Sequence, residues 1–158
     1  MNKSIDIFAE TNPAFCSLVL YSFIRAYHEE SGCPVSFPLL LLPIPIILSG
    51  DLESSFNGTN KKTGFFTWLE RNPKIRFELI DRIENSMEYI KPAIEYGFFK
   101  GIFKLSSKGE IYPETQSVKN CKTNQITKPI FKRAENLGYW LGRINSRRTI
   151  FNHLEIQL

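Results

Sequence analysis

The residues able to do chemistry in this chain are few and far apart. Its two histidines, His28 and His153, lie at opposite ends of the sequence. His28 stands beside Glu29 and Glu30, but a general base needs a nucleophile and an orienting partner, and neither is signposted. Its place near the end of the first expected helix suits a cation facing the helix dipole. Cys16, Cys33 and Cys121 are widely separated and form no CxxC pair. With two remote histidines they give no zinc spacing, and they read as reduced thiols. Gly97 and Gly101 flank Phe98-Phe99-Lys100 and read as turn residues rather than a phosphate cradle. No P-loop, dinucleotide fingerprint, HExxH or GxSxG occurs. The pairs Glu29–Glu30 and Asp81–Glu84 fall on expected helices and read as solvated faces. The expectation is a protein without catalytic, cofactor-binding or metal-binding residues.

Charge and large rings offer more. From Lys119 onward come Lys122, Lys128, Lys132, Arg133, Arg143, Arg147 and Arg148, against Glu135 and Glu155. Together with Lys104 and Lys108, this region has the charge that phosphate contacts require. A solvated helix face or an acidic partner protein explains the same residues. Lys104, Lys108, Lys132 and Arg133 are the candidate DNA contacts. Trp68 lies in FFTWLERNP and Trp140 in NLGYWLGR. Each ring is either a core residue or an interface anchor, since tryptophan and arginine are enriched at binding hot spots. Gly138 and Gly142 flank Trp140 and permit close approach of another backbone. Trp68, Arg71, Trp140, Arg147 and Arg148 are the candidate partner interface.

The elements that position these groups follow from periodicity. Thr11-Asn12-Pro13 is a helix start, and Phe15, Leu18, Val19, Phe23, Ile24 and Tyr27 then give an amphipathic helix over 13–30. Phe37–Leu48, FPLLLLPIPIIL, is the oiliest run. It is shorter than the roughly 20 residues of a spanning helix, and its interior prolines disturb a regular helix. It is expected to be a proline-bent core element with some apolar surface left for a partner. Residues 50–64 read as an exposed loop. Asn72-Pro73 repeats the first start signal and opens a helix with Ile75, Leu79, Ile83, Met87 and Ile90 on one face, interrupted or kinked at Pro92.

Ile102–Leu105 and Glu110–Tyr112 flank a turn and predict a β-hairpin, and 113–127 is polar and irregular. Thr127 and Pro129 start a helix whose stripe is Ile130, Ala134, Leu137, Leu141 and Ile144. Arg147-Arg148 breaks that pattern before a short terminal element. The fold class is therefore mainly α with one small β-hairpin (α+β), a winged-helix-like single domain over 1–158 with its core at about 12–156. MNKSIDIFAETNP has no apolar core of signal length, so a cytoplasmic protein is expected.

These segments resemble the middle-component subunits of bacterial three-component ABC systems of the Lamassu type. The resemblance is carried by Asn12-Pro13, Pro38-Leu39-Leu40-Leu41-Leu42-Pro43, Trp68-Leu69-Glu70-Arg71-Asn72-Pro73, Tyr96-Gly97-Phe98, Leu137-Gly138-Tyr139-Trp140 and Thr149–Leu154. It runs from residue 12 to residue 156 and departs at Glu155, where such a family has glycine. It implies a small non-catalytic subunit beside an SMC-like ABC ATPase and an effector, often a nuclease, in anti-phage or anti-plasmid defence. A free-standing winged-helix regulator that binds DNA is the alternative.

Overall fold

Asn12 caps the first helix as its side chain predicts. In the computed structural model, which describes residues 12–114 and 124–157, its Oδ1 accepts from the N–H groups of Ala14 at 2.8 Å and Phe15 at 3.4 Å. Helix α1, Pro13–Ser31, ends at Gly32, whose φ of 68° lets its N–H return to the His28 carbonyl. Strand β1, Val35–Ser36, follows directly.

The oily run then divides at its prolines. Phe37–Leu41 is a 3-10 turn with Pro38 in its first positions, and Pro43–Ile47 is a short helix, α2, with proline again at the start. Leu39, Leu40, Leu42, Ile44, Ile46 and Ile47 are all buried. The apolar surface left over is mainly Phe37, 41% exposed. No single helix among the described residues is long and apolar enough to cross a membrane. Phe37–Ile47 and Gly50–Phe56 pass that test only as a pair bent by 96°.

Gly50–Phe56 departs from the expected exposed loop. It is a 3-10 turn that buries Leu52 and Phe56 in the core, two apolar residues four apart within an otherwise polar stretch. Helix α3, Phe65–Arg71, buries Phe65, Trp68 and Leu69. The long helix α4 covers Lys74–Phe99. One expectation fails here. Asn72 does not cap α4; its Nδ2 donates to the carbonyls of Trp68 at 2.8 Å and Ser55 at 3.5 Å, so it ties off α3. At Pro92, expected to interrupt or kink the helix, there is no interruption: α4 runs through it, with Ile90, Ala93 and Ile94 buried on both sides.

The hairpin is present as β2, Phe103–Leu105, and β3, Glu110–Pro113, but it is not alone. Strand β1 pairs antiparallel with β3, Val35 opposite Ile111, giving the order β1-β3-β2. A two-residue strand is too short to show an alternation in sequence. Helix α5, Lys128–Ile144, buries Ala134, Leu137 and Leu141, three members of the expected stripe. Its start is tied by Asn124, whose Oδ1 accepts from the N–H groups of Ile126 and Thr127; Thr127 itself makes no side-chain cap. The terminal element is helix α6, Arg147–His153, capped by Ser146 Oγ accepting from the Thr149 N–H.

One hydrophobic core joins all these elements. Its spine is α1 against α5, running parallel: Phe15 meets Phe131, Arg25 meets Glu135 and Tyr27 Oη donates to Asn145 Oδ1. The backbone that approaches Gly138 and Gly142 is that of α1. The sheet closes over one end, with His28 edge-on to Tyr112. The architecture is α+β, mostly helical with a small three-stranded antiparallel sheet.

Candidate functional site

The two tryptophans come together, and they do so inside. Trp68 is 0% and Trp140 1% exposed, with ring centroids 5.7 Å apart. Phe56 joins them, 5.2 Å from Trp68 and stacked on Trp140 at 6.0 Å. Each indole N–H is satisfied within the fold: Trp68 Nε1 donates to Ser55 Oγ and Trp140 Nε1 to the Asn60 carbonyl. Of the two readings of these rings, core packing is the one their burial fits. A partner reaches neither without opening the core.

The three arginines proposed beside them are different. Arg71, Arg147 and Arg148 are exposed. Arg147 donates to Ser36 Oγ at 3.4 Å. With Arg148, Phe151 and Ile156 it lines an open cleft of about 450 Å³, two cations above a partly apolar floor. Arg71 stands apart from them at the end of α3.

Most of the remaining basic charge is answered locally. Lys104 pairs with Glu114, Lys132 with Glu135 at 3.6 Å and Arg133 with Glu53 at 3.4 Å. Arg143 and Lys61 both grip Glu30, at 3.1 and 3.3 Å, and the Arg143 hydrogen bond foremost holds the Glu30 carboxyl below its ordinary range. Lys108 is exposed on the hairpin turn. Lys119, Lys122 and Cys121 lie outside the described residues, as does most of the irregular 113–127 segment. His28 is a helix-end group, its Nδ1 3.0 Å from the Cys33 carbonyl. His153 Nδ1 lies 2.8 Å from the Thr149 carbonyl, and its ring packs on Phe66.

A surface that the sequence reading passed over lies on α4. Phe77 is 80% and Phe99 83% exposed. At 100° per residue both lie on the face carrying Asp81, Glu84, Glu88 and Glu95, all of them exposed. The face thus presents a ring near each end, with four carboxylates and one exposed base, Lys91, between. Arg82, the one base within 77–90, is held by Asp51 and Glu78. The signal was available: Phe77 sits off the Ile75–Leu79–Ile83 stripe that the core uses.

Residues 6–158 match the family described as ABC-three component (ABC-3C) system Middle Component 3. The chain belongs to that family. No curated protein and no solved structure is detectably similar to it. As a middle component it is part of a multi-component ABC system, which implies partner subunits. That membership gives the exposed rings on α4 a natural context. Among the described residues no group of three or more His, Cys, Asp or Glu side chains is placed to hold a metal ion. What this middle component presents are surfaces: the acidic and aromatic face of α4, and the arginine cleft of α6.

Proposed function

We propose that this middle component is a non-catalytic adaptor, joining an SMC-like ABC ATPase to an effector nuclease in Lamassu-type anti-phage or anti-plasmid defence in the cytoplasm. The observation that carries the reading is the α4 face, where Phe77 and Phe99 stand in solvent on either side of four carboxylates. Burying two such rings supplies hot-spot energy to an interface, and the carboxylates select a partner surface of positive sign. Arg71 and the Arg147–Arg148 cleft offer the opposite sign elsewhere on the molecule. Two oppositely charged surfaces suit a subunit that holds two different partners. The test is co-expression with the ATPase and effector encoded beside it. A stable complex retained through size exclusion is expected, and a protein that purifies alone and binds neither subunit overturns the adaptor.

A free-standing winged-helix regulator is the second reading. It draws support from the element order: helix, strand, helices, then a hairpin whose β3 pairs with the first strand. In that arrangement Lys104 and Lys108 sit on the wing, with Lys132 and Arg133 as further phosphate contacts. The charge of α4 weighs against it, because a helix presenting four carboxylates repels a phosphate backbone. A salt titration of DNA binding by the isolated chain separates the two. Tight binding with a steep salt slope favours the regulator, and weak binding favours the adaptor.

A further inference from the structure

The terminal turn of the chain sets a second wall beside helix α6. Glu155 takes a φ of 58°, and the Ile156 N–H returns to the Phe151 carbonyl at 3.0 Å, so Ile156 and Gln157 fold back along the helix. On α6 itself, Phe151 and Asn152 lie three and four positions after Arg148, and Phe151 lies four after Arg147, so these residues share a face. Together the two walls line the open cleft of about 450 Å³. Both arginines, Asn152 and Gln157 are exposed, Ile156 is half-buried, and Phe151 is buried beneath them. The cations are therefore within reach of a partner, and neither holds a carboxylate among the described residues. Arg25, Arg82, Arg133 and Arg143 each hold one. Arg147 makes one contact, to Ser36 Oγ at 3.4 Å. Among the described residues that line the cleft, none is acidic. Glu155, the nearest acid in sequence, is exposed and lies outside the lining.

We propose that this cleft takes an extended acidic segment of a partner subunit, one in which carboxylates alternate with apolar side chains. The planar guanidinium forks of Arg147 and Arg148 match carboxylates in bidentate geometry. Successive side chains of an extended segment point to opposite sides. With carboxylates on the arginine wall, the residues between them face Ile156 across the cleft. The side-chain amides of Asn152 and Gln157 each offer donors and an acceptor to the main chain. A phosphate backbone suits the arginines but brings nothing apolar to Ile156. It also needs a track of free cations, whereas Lys104, Lys132, Arg133 and Arg143 already hold carboxylates. That the segment belongs to a partner subunit rests on the adaptor reading; the acidic and apolar character of what fits the cleft does not.

The experiment has two arms. In the first, the isolated full chain is titrated into a fluorescently labelled short peptide of alternating glutamate and leucine, and anisotropy is followed. A glutamine–leucine peptide, a glutamate–serine peptide and a short oligothymidylate are the comparisons. Saturable binding of the glutamate–leucine peptide is expected, weakening as salt is raised. It should be at least about fivefold weaker in the double variant Arg147→Gln with Arg148→Gln. Both positions are exposed, so that variant should keep the parent's unfolding temperature. Arg148→Gln alone leaves the Ser36 contact in place and should weaken binding in the same direction. No binding, or binding that neither variant changes, overturns the proposal. Equal binding of either comparison peptide overturns it too, and tighter binding of the oligothymidylate overturns it in favour of a phosphate site. In the second arm, Arg147→Glu with Arg148→Glu is co-expressed with the neighbouring subunits and should weaken the complex at least about tenfold. A complex of unchanged affinity overturns the inference and leaves the adaptor standing. Absence of any complex with the parent chain overturns the adaptor, and the peptide titration then decides the chemistry of the cleft alone.

Discussion

A Cβ placed on Gly138 would stand 2.4 Å from the carbonyl oxygen of Phe23. One on Gly142 would stand 2.7 Å from the carbonyl oxygen of Tyr27. The two glycines cost α5 helical stability of about 1 kcal/mol each relative to alanine, and what they permit is backbone contact between α5 and α1. Because the obstructing atoms are backbone, they cannot rotate away. Gly138→Ala is therefore expected to destabilise the fold by about 1–3 kcal/mol, in spite of its better helix propensity. Thermal unfolding reads this as a loss of about 2–4 °C per kcal/mol. Gly50→Ala is the control, since nothing stands within 4 Å of that position; equal behaviour of the two variants would refute the contact.

Trp140→Ala separates the core role of that ring from an interface role. The indole is fully enclosed, stacked on Phe56 and bonded to the Asn60 carbonyl. Its removal is expected to cost about 3–5 kcal/mol, seen as an earlier midpoint in urea. Arg148→Ala, at an exposed position, is expected to stay within about 0.5 kcal/mol of the parent. A Trp140→Ala protein of unchanged stability that no longer binds its partner would restore the anchor.

Much of this was legible in the chain because the signals were local. Asn12-Pro13 caps through its own side chain, and the stripe of α5 repeats often enough to declare a helix. The two glycines announced a close approach, although nothing in sequence said that α1 was the neighbour. What escaped reading depends on contacts distant in sequence. Asn72 had the same proline beside it as Asn12, yet its amide found Trp68 and Ser55 instead. Strand β1 is two residues long and exists because β3 is there to pair with it. Both tryptophans carried the composition of a hot spot, and only the burial of Phe56 between distant segments made them core.

Glu155 holds a backbone conformation that favours glycine. Its φ is 58°, in the left-handed region, and the Ile156 N–H reaches back to the Phe151 carbonyl at 3.0 Å. This is the terminal turn that closes α6. A non-glycine residue in that conformation costs roughly 1–2 kcal/mol. Glu155→Gly gives back part of that through greater freedom of the unfolded chain. A net gain of about 0.5–1 kcal/mol is expected, read as a later urea midpoint with an unchanged slope. A loss of stability would mean that the glutamate side chain contributes something its exposed position does not suggest.

Phe77 and Phe99 provide the sharpest separation of binding from folding. Both rings are more than three-quarters exposed, so Phe77→Ser and Phe99→Ser should leave unfolding within about 0.5 kcal/mol of the parent. If α4 is the docking face, each substitution weakens the complex by about 1–2 kcal/mol or more, five- to thirtyfold in affinity. The carboxylates act differently. Glu84→Lys with Glu88→Lys should slow association more than it speeds dissociation, and the deficit should shrink as salt is raised. Surface plasmon resonance with the partner subunit immobilised reads both rate constants. A double-serine variant that binds with parental affinity would remove α4 from the interface. The arginine cleft of α6 would then be the next surface to test by the same measurement.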